Sequence, residues 1–113
     1  MKNKHLVSLC LLAAVCAGPV RADDVKDLIK AKHCYDCHGD KSGKVGPAFR
    51  DISRRFRGLN NAKTMLVRMV QNGTDSQAVV YHWGASTMPP GEVRVPVSQA
   101  EAEQLVDYIL SLK

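Results

Sequence analysis

The stretch Cys34-Tyr35-Asp36-Cys37-His38 decides how the rest of this chain is read. On a helical turn, residues at i, i+3 and i+4 share one face, so two sulfurs and an imidazole are presented together. The spacing is C-x-x-C-H, the attachment sequence of c-type haem. Cys34 and Cys37 would form thioethers with the two vinyl groups of one porphyrin, and His38 would lie against the iron as its proximal ligand. Two other chemistries use the same residue types. A structural zinc site normally takes four Cys or His ligands, and His33, His38 and His82 lack the paired spacing of a finger. A redox dithiol of the thioredoxin kind needs a βαβ setting, and no segment here reads as a strand of useful length.

Upstream, the first residues have the three-part form of a secretory signal. Lys2 and Lys4 precede an apolar run from Leu6 to Ala17, and Val20-Arg21-Ala22 supplies a small-residue cleavage site. The run is broken by Gly18 and Pro19 and falls short of the ~20 apolar residues that span a bilayer. Residues 1–22 are therefore expected to be removed, taking Cys10 and Cys16 with them. Val15 before Cys16 argues against lipidation. No stable membrane insertion is expected after cleavage, and export implies the periplasm, where unattached thiols would tend to oxidise.

The remaining 91 residues, Asp23 to Lys113, make one domain. So short a chain buries only a little over ~60 % of its surface, and small domains often complete their core with a large cofactor. Of the 16 basic residues, Lys2, Lys4 and Arg21 leave with the signal, so 13 face 11 acidic ones and the mature charge is +2. That balance excludes nucleic-acid binding as the main task, which needs a concentrated basic stripe. One local cluster remains, Arg50, Arg54, Arg55 and Arg57, either a docking surface or a solvated helix face.

Downstream and on either side of the motif the pattern is all-α. Val25, Leu28 and Ile29 recur at helical spacing behind Asp23 and Asp24, predicting a helix to about Lys32. Gly39 to Pro47 reads as loop, followed by a short helix with Phe49, Ile52 and Phe56 on one side. Met65, Leu66, Met69 and Val70 mark the buried face of a longer helix stopped by Gly73. Periodicity vanishes from Thr74 to Val97, a long irregular stretch of the kind that compact domains keep for function. Ser98 and Glu101 form a capping box ahead of an apolar stripe at Ala102, Leu105, Val106, Ile109 and Leu112. The first and last helices are expected to pack together around the cofactor.

The sixth iron ligand decides between chemistry and simple change of charge. Met65, Met69, Met88 and His82 are the candidates. Met65 and Met69 lie on an apolar helical face, where core packing explains them. Met88 stands in Ser86-Thr87-Met88-Pro89-Pro90, where two prolines stiffen the chain. A polarisable thioether there makes a soft ligand that favours ferrous iron. With His38 and Met88 in place, the iron has no open position and the protein carries electrons. Without a stable Met88, the haem could serve a peroxidase or a gas sensor.

The ordered set of motifs resembles a small class I cytochrome c, the short bacterial class ID kind. It comprises Cys34 to His38, then Lys44-Val45-Gly46-Pro47-Ala48-Phe49-Arg50-Asp51-Ile52, Gln71-Asn72-Gly73, Trp83-Gly84, Met88-Pro89-Pro90 and Tyr108-Ile109-Leu110. The resemblance implies four to five helices around one covalent haem c, and a one-electron carrier cycling Fe(III)/Fe(II) between respiratory redox proteins. It implies that the Pro47 carbonyl orients His38, that the Trp83 indole approaches a haem propionate, and that Arg68 helps neutralise it. It also implies a monomer whose transient partners are a cytochrome-complex donor and an acceptor of the terminal-oxidase or nitrite-reductase type. Two features depart from the family. The segment between Gly73 and Trp83 is longer, adding Tyr81 and His82, and Gly91 stands where an Asn or Gln often follows M-P-P near the ligand sulfur.

Overall fold

The computed structural model describes residues 18–74 and 86–113, and among them are four α-helices and no strand. Helix α1 is Ala22–Ala31, α2 Phe49–Phe56, α3 Ala62–Asn72 and α4 Gln99–Ser111, with short 3-10 turns at Cys34–Asp36 and Gly91–Val93. The all-α expectation holds, and each helix falls within a few residues of its predicted span.

Each boundary has a local cause. The Asp24 carboxylate accepts the Arg21 N–H at 3.3 Å, so an acidic first turn satisfies the start of α1. At the other end His33 takes a left-handed backbone, φ 59°, the only non-glycine to do so among the described residues. That reversal lets the cysteine-bearing turn start immediately after α1. Gly73, φ 78°, stops α3 as its sequence position predicts. For α4 the capping box is complete: Ser98 Oγ accepts from Glu101 N at 3.2 Å, and Glu101 Oε2 accepts from Ser98 N at 2.9 Å.

Helix α4 is the spine of the packing, because its apolar residues face two clusters. Leu105 and Ile109 pack with Val25 and Ile29 of α1 and with Phe49, while Ala102 and Val106 pack with Phe56 and with Ala62, Leu66 and Val67 of α3. The predicted pairing of first and last helices is thus the first of these clusters. Each buried Leu, Ile, Val or Phe contributes ~1.5–3 kcal/mol by leaving water. A polar residue sits inside: Ser53 of α2 is fully buried and donates to the Leu112 carbonyl at 2.7 Å, with the Leu110 carbonyl at 3.2 Å. Arg57 donates to the same Leu112 oxygen at 3.0 Å. The last carbonyls of α4, which no intrahelical N–H can reach, are therefore satisfied from α2.

Candidate cofactor site

The cysteine turn is tightly wound. The Cys34 carbonyl accepts from both Cys37 N at 3.2 Å and His38 N at 3.0 Å, which gathers the two sulfurs and the imidazole on one side. Both sulfurs are partly buried and not joined in a disulfide, and burial pushes the Cys34 thiol above its usual range despite the opposing charge of Arg94. The loop after His38 folds back on this turn through Gly46 N to the Cys37 carbonyl at 2.8 Å and Lys44 Nζ to the Tyr35 carbonyl at 2.6 Å. Tyr35 donates to the Asp40 carboxylate at 3.1 Å, and partial burial together with that carboxylate pushes the phenol up to about 12.

His38 is held on three sides. Its Nδ1 lies 2.7 Å from the Pro47 carbonyl oxygen, and its ring stacks on Phe49 with centroids 5.2 Å apart. Because a carbonyl only accepts, Nδ1 carries the proton and Nε2 keeps its lone pair. Burial shifts the imidazole toward the neutral form, with the Pro47 bond opposing and the Arg94 charge assisting. Gly46 covers the ring so closely that a methyl group there would lie 2.6 Å from Cε1. Neutral, tautomerically fixed and oriented, the imidazole is prepared as a nitrogen ligand.

Cys34, Cys37, His38 and Pro47 line one cavity of about 200 Å³, and Met88 lines it too. The remaining wall is chiefly apolar, including Phe49, Ile52, Phe56, Leu66, Val70, Leu105 and Ile109. Met88 is held by backbone pairing with the end of α3: its N–H donates to Thr74 Oγ1 at 2.7 Å, and its carbonyl accepts from Thr74 N at 3.0 Å. Two glycines permit this approach. A methyl on Gly73 would lie 2.6 Å from both the Met88 and Pro89 carbonyl oxygens, and one on Gly91 would collide with the Gln71 carbonyl. Gly91 is therefore a packing requirement of the loop.

These observations fit a covalently attached haem. Two thiols, a prepared imidazole and a soft thioether converge on an apolar cavity. Among the described residues no group of three or more His, Cys, Asp or Glu is placed to hold a metal ion. Met65 packs against the α3–α4 cluster, in keeping with its core assignment, while Met69 both packs there and lines the cavity.

Of the remaining predicted residues, Arg68 is placed less centrally. It is exposed and lines a separate polar groove with Lys63, Gln71, Gln99 and Glu103. Trp83, like Tyr81 and His82, lies outside the described residues. The cation that does line the cavity is Arg94, which sequence reasoning missed because no motif contains it. His33 is exposed and its Nδ1 lies 3.2 Å from the Asp36 carboxylate. In the arginine cluster, Arg57 caps α4 and Arg54 pairs with Asp51, so part of that face is structural.

Comparison with known proteins places these features in a family. The cytochrome c family profile matches residues 22–113. The chain is 36 % identical over 113 residues to cytochrome c-551 of Pseudomonas aeruginosa, covering all of both chains. It is 35 % identical over 113 residues, again covering all of both, to cytochrome c-552 of Nitrosomonas europaea. The crystal structure of Nitrosomonas europaea cytochrome c552 superposes with a TM-score of 0.67 at 36 % identity, covering 78 % of this chain and 99 % of that one.

Proposed function

This chain belongs to the cytochrome c family, and from that premise we propose that it is a periplasmic shuttle whose haem iron is ligated by His38 and Met88. Membership makes it an electron-transfer protein rather than an enzyme, with one haem c attached covalently. The bound haem supplies one-electron Fe(III)/Fe(II) cycling. The protein contributes the rest. Cys34 and Cys37 fix the group in place, the Pro47 carbonyl holds the imidazole tautomer, and the apolar wall excludes water.

The observation that carries the ligation is the shared cavity. His38 and Met88 come from segments far apart in sequence, yet both line it, and each has its backbone or ring held by hydrogen bonds. Two strong-field ligands leave no position for a substrate, which favours outer-sphere transfer over peroxide or gas chemistry. Residues 1–22 act as the cleaved signal, and among the described residues no helix is long and apolar enough to cross a membrane.

The test is the absorption spectrum of the oxidised protein. A weak far-red band from an iron–thioether bond is expected, lost in Met88→Ala and kept in Met69→Ala. A high-spin ferric spectrum in the unmodified protein would refute the ligation. N-terminal analysis of the exported form should begin at Asp23. Sedimentation should show a monomer, and reduction kinetics against a cytochrome-complex donor and against oxidases or nitrite reductases identify the partners. Encounters with these should be brief and steered by charge around the haem edge.

A further inference from the structure

Arg94 adds a side-chain link between the Met88 loop and the end of α3. Its Nε donates to the Pro89 carbonyl at 2.6 Å, and its Nη2 donates to the Val70 carbonyl at 2.7 Å. Pro89 directly follows Met88, and Val70 lies in the last turn of α3. The Val70 carbonyl needs such a donor. In a continuing helix it would accept from residue 74, but Thr74 N is turned to the Met88 carbonyl instead. A cation at this position also complements the negative end of the α3 dipole. The guanidinium therefore closes a circuit that starts at α3, passes through Thr74 to Met88, and returns through Pro89.

The same side chain lines the cavity, and its charge reaches both His38 and Cys34. We propose that Arg94 is a positioning residue that clamps the Met88 loop onto the end of α3 and holds a fixed positive charge at the cofactor cavity. The clamp keeps the thioether seated against competing ligands. The charge favours the ferrous state, because it penalises the more positive ferric iron. The inference rests on Met88 being the axial ligand.

The experiment compares the purified holoprotein with its Arg94→Lys and Arg94→Gln variants, reading imidazole affinity of the ferric form and midpoint potential. Lysine keeps the charge but not the two-pronged fork, and glutamine keeps neither. Both variants are expected to bind imidazole about tenfold more tightly or better, because the loop is released more readily. The potential should fall in Arg94→Gln and stay near the parent value in Arg94→Lys. Imidazole affinity within about twofold of the parent in the lysine variant would overturn the clamp, even if the glutamine variant fails to fold. An unchanged potential in folded Arg94→Gln would overturn the charge. A parent protein without the far-red band would instead refute the axial ligation itself, and this inference with it.

Discussion

The wall that carries His38 and the wall that carries Met88 are built at different ranges along the chain. Around His38 nearly everything comes from residues 34–49: the wound cysteine turn, Gly46 over the ring, the Pro47 carbonyl and the stacked Phe49. Around Met88 the partners are Gly73, Thr74, Gln71 and Arg94, which meet only once α3 has formed and the loop has been laid across its end. The first wall is thus fixed by local geometry and the second by tertiary structure. Disturbing the first should damage attachment and overall stability, while disturbing the second should chiefly loosen the Met88 loop.

The largest expected effect breaks the local wall outright. Cys34→Ser with Cys37→Ser removes both thioether-forming sulfurs, and the purified protein should lose covalent haem entirely under denaturing electrophoresis with haem staining. Retention of stain by the double variant would overturn the assignment.

A pair of glycine substitutions sharpens the contrast. Gly46→Ala drives a methyl group into the His38 ring and should cost ~1–3 kcal/mol, lowering the melting temperature by roughly 4–8 °C for each kcal/mol. Gly91→Ala meets the Gln71 carbonyl and should act mainly through the methionine loop, weakening the far-red band before it lowers the melting temperature. Equal effects on both readouts in the two variants would show that the walls are not independent.

Smaller effects are expected in the frame that both walls share. Ser53→Ala removes a buried donor from the end of α4, but Arg57 still serves the Leu112 carbonyl, so the loss should be about 1 kcal/mol in chemical denaturation. A loss of several times that would mean Arg57 does not compensate. The smallest is Glu101→Gln. The Ser98 N–H and then Lys32 hold the Glu101 carboxyl below its ordinary range, so its stabilisation is present above that range and disappears as the pH falls through the lowered value. The variant should melt lower than the parent at neutral pH and alike in acid. A gap that persists in acid would contradict this.

The same difference in range explains what the sequence made legible. The haem motif, the stop at Gly73 and the capping box at Ser98 are short-range patterns whose chemistry stays within a turn or loop, while the Pro47 carbonyl was implied only by the resemblance. The Met88 loop could be recognised by its prolines, but not what anchors it, since Gly91 only makes sense once Gln71 lies against it. Arg94 was invisible for the same reason: its two acceptors are backbone carbonyls, which leave no trace in side-chain identity. Arg68, whose role only the resemblance implied, is exposed along a separate polar groove.

The packing of α1 against α4 has a consequence for timing. A chain that emerges N-terminus first presents its cysteine pair well before the partner of its first helix has been delivered, so the hydrophobic interior cannot shut during that interval. The arrival of Leu105 and Ile109 is what lets that half of the interior close.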